Sequence, residues 1–280
     1  MPVTFARPEL LASPDWLAEH LGRPGIRIVD CRFRVDGTSR QLHASGHIPG
    51  AAFLDWANDL VDSDDPLPFQ LAGPEAFAAA AGRAGIGDGA TAVLYDDTAS
   101  LYASRVWWSL RCYGFDGVRI LDGGWLAWQS SGRPTSAAAG RIDASVLTPR
   151  GVPRLRLATS DVLALLGSAG VELVDTRAPA EFLGQGGNAK RLGHIPGAIN
   201  VPSALLTEPG SGVFLAPDRL SALFSDAGLR RDRRVILYDG SGIGAAKAAF
   251  ALTLLGFENV SLYEGGWSAW GGRLDLPVDR

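Results

Sequence analysis

The sequence predicts an α/β fold in which one domain occurs twice, each copy a mainly parallel sheet with helices on both faces. Four short motifs recur in the same order in the two halves of the 280-residue chain. Short β-branched runs alternate with longer helical runs in each half, as expected for parallel strands joined by helices. A stretch rich in Pro, Ser, Ala and Gly separates the halves.

The internal repeat consists of four pairs of motifs. The two members of each pair lie 142 to 147 residues apart, so only small insertions distinguish the copies. The pairs are Val-Asp-x-Arg at 29–32 and 174–177, Gly-His-Ile-Pro-Gly-Ala at 46–51 and 193–198, Leu-Tyr-Asp at 94–96 and 237–239, and Gly-Gly-Trp at 123–125 and 265–267.

Each copy contains three predicted inner strands, followed by helices. Apolar runs predict strands at 26–29, 92–95 and 118–121, and again at 171–174, 235–238 and 260–263. A helix is predicted to open at Pro74, and others to span 103–113 and 245–255, the last ending before Gly256. We expect domains at 1–140 and 157–280, joined by a linker at 141–156.

The composition limits the classes of partner and cofactor. A net charge of −4 gives no general attraction to nucleic acid or to an anionic membrane. The sequence has no apolar run long enough to span a bilayer and no secretory leader, so a cytoplasmic location is expected. Cys31 and Cys112 lie far apart and suggest reduced thiols rather than a zinc site. Neither a metal nor an organic cofactor is expected.

A glycine-rich loop follows the predicted strand at 235–238. It reads Asp239-Gly240-Ser241-Gly242-Ile243-Gly244 and leads into a predicted helix. Three glycines let successive N–H groups turn inward beside the positive end of the helix, which makes a cradle for an anion. A tight turn without a ligand is the alternative. The pattern matches neither the dinucleotide-binding fingerprint nor a P-loop.

Together these motifs resemble the tandem-domain rhodanese family, which comprises the thiosulfate and 3-mercaptopyruvate sulfurtransferases. Tyr-Asp-Asp at 95–97, followed by Ala-Ser-Arg-Val-Trp-Trp at 103–108, adds to the resemblance, which covers about residues 14–278. It implies two rhodanese-like domains, the first structural and the second carrying the active-site loop. It also implies that the substrate is a small anionic sulfur compound, that a protein acceptor could take the sulfur, and that the chain is a monomer.

The resemblance places a nucleophilic cysteine at the head of this loop, where it takes up sulfane sulfur as a persulfide. The 3-mercaptopyruvate branch typically reads Cys-Gly-Ser-Gly-Val-Thr-Ala, whereas this chain has Asp239 at the first position and Gly244 at the sixth. A carboxylate cannot become a persulfide, so impaired or absent sulfur transfer is expected. Asp96 stands at the matching position of the first copy.

The same resemblance implies roles for residues outside the nucleophile position. Gly240, Gly242, Ile243 and Gly244 would surround the substrate, with Arg177 and His47 as further substrate-binding candidates. Ser241, His47 and Asp36 map onto the proton relay of mercaptopyruvate-type enzymes.

Other readings of these positions stay open. Arg177 could instead form a structural ion pair with Asp175. His47 recurs as His194, which favours a structural role in the turn. Leu183 stands where the family often has an anion-gripping arginine.

Three side chains near these motifs have simple expected roles. Cys31 and Cys112 are expected to be packed thiols rather than substitute nucleophiles. Lys247, one turn into the helix after the loop, could reach the loop mouth, although a solvated helix face is the more common outcome.

Three functional hypotheses follow. The first is a sulfurtransferase by descent, with its activity weakened, lost or redirected. The second is a non-catalytic anion-binding or protein-interaction module, in which amides of the loop hold Asp239 and lower its pKa. The third is a hydrolase that uses Asp239 as nucleophile or general base, with Ser241 steadying an oxyanion.

Overall fold

The computed structural model describes residues 4–138, 140–187 and 189–280, and within them two parallel five-stranded sheets confirm the predicted fold class. The first sheet has the strand order β1-β5-β4-β2-β3 and the second the order β6-β10-β9-β7-β8. The two orders are identical when the repeat is superimposed, so the internal duplication extends to topology. Each inner strand lies in the middle of its sheet, which explains why its sequence is mainly apolar.

The six predicted inner strands are all present, to within one residue. The four edge strands, which the sequence analysis did not predict, are two residues long each. The strands are β1 Leu11–Ala12, β2 Ile26–Asp30, β3 Ala52–Phe53, β4 Thr91–Tyr95, β5 Val118–Leu121, β6 Arg156–Leu157, β7 Val171–Asp175, β8 Ile199–Asn200, β9 Arg234–Tyr238 and β10 Val260–Tyr263.

The helices lie on both sides of each sheet. The predicted helices at 103–113 and 245–255 each begin two residues earlier, and the helix predicted to open at Pro74 does so. The helices are α1 Pro14–His20, α2 Ser39–Ser45, α3 Trp56–Asp59, α4 Pro74–Arg83, α5 Leu101–Cys112, α6 Gly124–Ser130, α7 Thr159–Leu165, α8 Pro179–Phe182, α9 Pro217–Asp226, α10 Ile243–Leu254 and α11 Gly266–Trp270.

The two domains share one hydrophobic core. Helices α5 and α10 pack against each other between the sheets, with Trp107 edge-on to Phe250 at 5.0 Å between ring centroids. Buried residues from the inner face of both sheets join this core, whereas the outer face of each sheet has a separate, smaller core. Apart from Lys247 and Thr253, helix α10 consists of apolar residues and glycine on all sides, as expected for a helix buried along its length.

Two hairpin-like segments are exchanged between the domains. The first hairpin, residues 61–71, belongs to the first domain, and its Leu71 N–H donates to Glu264 Oε1 at 2.9 Å. The second hairpin, residues 207–214, belongs to the second domain, and its Phe214 N–H donates to Asp122 Oδ1 at 2.9 Å. Asp122 and Glu264 each precede a Gly-Gly-Trp motif, so the exchange follows the internal repeat.

The segment predicted as a linker lies along the first domain. Leu147 is buried, and the Val152 N–H donates to the Cys112 carbonyl at 2.8 Å. A short 3-10 turn at Pro153–Leu155 leads into β6. None of the helices in the described parts of the chain has the length and apolar character needed to cross a membrane.

Candidate functional site

The glycine-rich loop lies at the carboxyl end of β9 and leads directly into α10. This is the edge where parallel α/β sheets usually bind ligands. Gly242 has a φ of +83°, which glycine adopts without strain, and this conformation turns the loop amides inward. A Cβ at Gly242 would lie 2.8 Å from Arg105 Nη1, so a side chain would also collide with the first domain.

The loop amides bind the carboxylate of Asp239 itself. The Ser241 N–H donates to Asp239 Oδ1 at 2.9 Å, and the Gly242 N–H donates to the same oxygen. The Gly244 N–H, at the start of α10, donates to Oδ2 at 2.6 Å. Both carboxylate oxygens therefore point into the cradle that the sequence predicted for an anion.

The pKa of Asp239 moves in the direction opposite to our expectation. Burial raises the pKa of this carboxyl above its usual range, and the three amide hydrogen bonds that lower it do not compensate fully. The nearby carboxylate of Asp175 adds to the increase. The expected lowering by loop amides is thus wrong in net direction, because removing a carboxylate from water outweighs the hydrogen bonds it receives.

A cavity of about 400 Å³ opens in front of Asp239. It includes first-domain residues Leu101 and Tyr102 at the start of α5, so the site lies between the domains. Among the described residues that line it, Arg177 is the one cation, while Asp239 and Glu181 are acidic. The lining residues are Leu101, Tyr102, Thr176, Arg177, Ala178, Glu181, Ser203, Asp239, Gly240, Ser241, Ile243 and Gly244.

Arg177 is held in a buried ion pair. Its Nε and Nη2 atoms donate to the Asp175 carboxylate, with Nη2 at 2.5 Å from Oδ2, and Nη2 also donates to the Gly193 carbonyl at 2.8 Å. The guanidinium lies over the ring of Trp267, 4.6 Å from its centroid. The first copy repeats this arrangement with Arg32 and Asp30. The contacts match the structural reading of Arg177.

His47 lies in a turn of the first domain and is not among the described residues that line the Asp239 cavity. Its ring is buried, Nδ1 lies 2.9 Å from the His43 carbonyl oxygen, and the two imidazoles stack at 4.0 Å. Asp36 is exposed and accepts hydrogen bonds from Thr38. In the described part of the chain, contacts between Ser241, His47 and Asp36 that would form the expected relay are not found.

Both thiols are packed into the core. Cys31 and Cys112 are free, 0% and 5% exposed, and burial raises the pKa of each well above the usual thiol range. A buried neutral thiol is a poor nucleophile. The described residues also contain no cluster of three or more His, Cys, Asp or Glu placed to hold a metal ion.

The first-copy loop holds Asp96 in an equivalent but more enclosed way. Four N–H groups donate to its carboxylate, from Thr98, Ser100, Tyr102 and Ala103, at 2.8 to 3.0 Å. Asp96 is 1% exposed, whereas Asp239 is partly exposed to its cavity. The two copies therefore differ in access rather than in the basic arrangement of amides.

Arg105 joins the first domain to the glycine loop, a role that the sequence analysis did not predict. This buried residue of α5 forms an ion pair with Glu264, and its Nη1 donates to the Gly242 carbonyl at 3.4 Å. Its Nη2 donates to the Phe69 carbonyl in the first hairpin at 2.5 Å. The one signal in the sequence is an arginine within the otherwise uncharged run 103–110.

Lys247 contradicts the expectation of a solvated helix face. The residue is 3% exposed, and its Nζ donates to Thr207 Oγ1 at 3.0 Å. It faces the second hairpin because α10 is covered on every side by α5, the sheet and the segment Ser203–Leu206. The sequence signal that could have indicated its burial is its position among apolar residues, in Ala-Ala-Lys-Ala-Ala.

Comparison with known proteins agrees with the topology and the motifs. The rhodanese-like domain family matches residues 13–131 and 158–273. A 3-mercaptopyruvate sulfurtransferase of Escherichia coli is 36% identical over 272 residues, covering 95% of this chain and 96% of that protein. A thiosulfate sulfurtransferase of Corynebacterium glutamicum is 35% identical, covering 98% of this chain and 92% of that protein.

The structural comparison gives the same result. The crystal structure of SseA from Escherichia coli, a 3-mercaptopyruvate sulfotransferase, superimposes with a TM-score of 0.84 at 35% identity. The alignment covers 92% of this chain and 99% of that one. The chain therefore belongs to the rhodanese family, as a tandem-domain member close in sequence to the 3-mercaptopyruvate and thiosulfate sulfurtransferases.

Proposed function

We propose that this chain is a sulfurtransferase-family protein that does not form a persulfide, because Asp239 replaces the nucleophile and fills its anion cradle. The observation that carries the proposal is that three loop amides donate to the carboxylate of Asp239 itself. In active members of the rhodanese family, the corresponding amides would stabilise the thiolate or persulfide of the nucleophilic cysteine. Here the stabilised anion is an internal side chain.

The chemistry of sulfur transfer supports this proposal. A persulfide forms when a thiolate attacks sulfane sulfur and displaces the rest of the donor. The carboxylate of Asp239 has no sulfur with which to form that bond. Cys31 and Cys112 are both buried thiols with raised pKa values, so neither offers a reactive thiolate to the cavity.

The charge of the cavity supports the same conclusion. A divalent anion such as thiosulfate needs cationic or N–H partners. Arg177 already pairs with Asp175, and Glu181 adds a negative charge to the cavity wall. The function that fits is a non-catalytic module with an open interdomain pocket. A hydrolase is disfavoured, because both oxygens of Asp239 accept amide hydrogen bonds and are poorly placed to attack a substrate.

The test is to restore the thiol. We expect the unmodified protein to release no thiocyanate from thiosulfate and cyanide, and no pyruvate from 3-mercaptopyruvate, above an Asp239→Asn control. Asp239→Cys should gain activity with at least one donor and should add the mass of one sulfur atom when treated with it. Combining it with Cys31→Ser and Cys112→Ser should leave that gain intact.

Asp96→Cys provides a matched control within the same chain. It places a thiol in the equivalent cradle of the first copy, where Asp96 is buried, so we expect no gain of activity. Turnover by the unmodified protein that persists in Asp239→Asn would refute the proposal. An inactive but folded Asp239→Cys variant would show that loss of the thiol is not the sole defect of the loop.

A further inference from the structure

A second cavity lies between the domains, beside the second hairpin. Its volume is about 460 Å³, within the range that holds a small organic ligand. Ala99 and Leu126 of the first domain form one wall, and Thr207, Pro209 and Lys247 of the second domain form the other. It shares Leu101 and Ser203 with the Asp239 cavity, whose lining does not include Lys247.

Lys247 brings an uncompensated cation to this cavity. An ammonium has three N–H donors, and the partner found for it in the described part of the chain is the hydroxyl of Thr207. Across residues 4–138, 140–187 and 189–280, no carboxylate lies within ion-pair distance of Nζ. A buried ammonium normally has an anionic partner, because taking it out of water is costly.

Two carboxylates, Asp97 and Glu208, also line this cavity, and each is already paired with an arginine. Asp97 pairs with Arg34, whose Nη2 lies 2.5 Å from Oδ2, and Glu208 pairs with Arg219. Asp96 acts on Lys247 through space, but its carboxylate is held by four backbone N–H groups. The charge that Lys247 brings to the wall therefore lacks a direct counter-ion.

Most of the remaining wall, apart from Asp97, Glu208 and the hydroxyl residues, is suited to an apolar group. Leu101, Ala99 and Pro209 line the cavity, and Leu126 lies at its edge with 44% of its surface exposed. A cavity with an exposed leucine and a buried cation is suited to an amphipathic ligand, which has one anionic end and an apolar body. A phosphate or a sulfate would leave the apolar wall uncovered, and a neutral ligand would leave the ammonium unpaired.

We propose that this cavity binds a small organic monocarboxylate, with its carboxylate on Lys247 Nζ and Thr207 Oγ1 and its apolar body against Leu101 and Leu126. Burial lowers the pKa of Lys247 to about 8, so the amine is still mainly charged at neutral pH. A bound carboxylate would stabilise the charged form. The proposal does not depend on the role of Asp239, since Lys247 and Thr207 do not line the Asp239 cavity.

The chain allows a direct test, because it contains only two lysines, Lys190 and Lys247. Labelling lysine at Cε with ¹³C gives two NMR signals, which Lys247→Met assigns, and exposed Lys190 is the internal reference. Benzoate is the probe and benzamide its neutral analogue. We expect benzoate to shift the Lys247 signal saturably while the Lys190 signal stays in place.

Affinity measurements by calorimetry complete the test. Lys247→Met keeps the length and apolar stem of the side chain and removes a buried charge, so the fold should be retained. It should weaken benzoate binding about tenfold or more, which is the expected effect of losing one desolvated charge-assisted contact. Benzamide should bind the unmodified protein as weakly as benzoate binds Lys247→Met. Leu126→Asp, a substitution at an exposed position, should weaken benzoate binding, whereas Arg83→Met, at an exposed position outside the cavity lining, should leave it unchanged.

Three results would overturn the proposal. The first is a Lys247 signal that does not respond to millimolar benzoate. The second is benzoate binding of equal strength in the unmodified protein and in Lys247→Met, which would place the ligand elsewhere. The third is benzamide binding as tightly as benzoate, which would remove the role of the charge.

Discussion

Asp239 and Gly244 occupy one shared space in the second-domain loop. A Cβ at Gly244 would lie 3.0 Å from Asp239 Oδ2 and 2.8 Å from Ser203 Oγ, closer than ordinary contacts. Gly244 is a helical residue of α10, where glycine is otherwise unfavourable relative to alanine by about 1 kcal/mol. The absence of a side chain at 244 therefore makes room for the carboxylate at 239.

This coupling predicts the effect of Gly244→Ala on stability. We expect the substitution to lower the free energy of unfolding by about 1–3 kcal/mol, the usual range for overpacking. The cost should fall by more than half in an Asp239→Cys background, because the shorter side chain vacates the position of Oδ2. Urea unfolding of the four proteins in the cycle measures both values.

Gly240→Ala is the control in the same loop. A Cβ there has nothing within 4 Å and the backbone does not need the left-handed region, so stability should change by less than about 1 kcal/mol. Equal costs of Gly244→Ala in both backgrounds would show that Ser203, not Asp239, sets the space at this position.

At the scale of elements, the exchanged hairpins position both interdomain cavities. The second hairpin covers the carboxyl end of the first sheet, where a Cβ at Gly212 would lie 3.1 Å from Ala99 Cα and the Phe214 N–H donates to Asp122. The first hairpin does the same beside Glu264 at the second sheet. The two copies differ at these loops, because Asp96 is buried whereas Asp239 lines a cavity.

The hydrogen bond between Phe214 of the second hairpin and Asp122 leads us to expect a free energy of unfolding that depends on pH. Burial raises the pKa of Asp122 to about 6, although the N–H groups of Phe214 and Gly123 oppose the shift. The folded state therefore binds more protons than the unfolded state between about pH 4 and 6, and stability falls as the pH rises through that window. Asp122→Asn keeps an acceptor for Phe214 and removes the buried charge.

We expect Asp122→Asn to raise the free energy of unfolding at pH 7 by about 1–3 kcal/mol, given that one pKa unit corresponds to about 1.4 kcal/mol. The gain should disappear near pH 4, where the carboxyl is largely neutral in the folded state. Chemical unfolding at a series of pH values measures the difference. Asp64→Asn, at an exposed position, should show no such trend, and a pH-independent gain at Asp122 would contradict the assignment.

At the scale of the whole molecule, one buried ion pair and one shared core hold the two domains together. Arg105 and Glu264 are each 1% exposed and come from different domains. They also contact Gly242 in the loop and Leu71 in the first hairpin. Since the helices α5 and α10 lie in the same core, the domains are expected to unfold in one transition.

Breaking this ion pair tests that expectation. Arg105→Met leaves Glu264 buried with Arg156 as its remaining cation, and we expect a loss of about 2–4 kcal/mol in unfolding free energy. The double variant Arg105→Met with Glu264→Gln should lose less unfolding free energy than the sum of the two single losses, because it removes both charges.

Circular dichroism during denaturant unfolding gives these values and the number of transitions. Arg83→Met removes a surface ion pair with Asp59 and should change stability by no more than about 0.5 kcal/mol. An equal effect of Arg105→Met and Arg83→Met, or two separate transitions in the unmodified protein, would show that the domains are independent.

Several parts of the fold and site could be predicted from sequence because their signals are local. Inner strands such as β9 contain apolar runs, here Val235 to Tyr238, and Gly240, Gly242 and Gly244 mark the loop through their spacing. Edge strands such as Leu11–Ala12 are too short to leave a pattern. The burial of Lys247 could not be predicted, because the sequence around a single lysine does not indicate which segment will pack over it.

The duplicated α/β architecture, the six inner strands and the place of Asp239 at the head of the loop follow from the sequence alone. The folded molecule was needed to show that loop amides hold Asp239, that Arg105 ties the loop to the other domain, and that Lys247 faces a cavity. Periodicity and turn chemistry act over a few residues, whereas burial, ion pairing and pKa depend on groups that meet only when the two copies pack together.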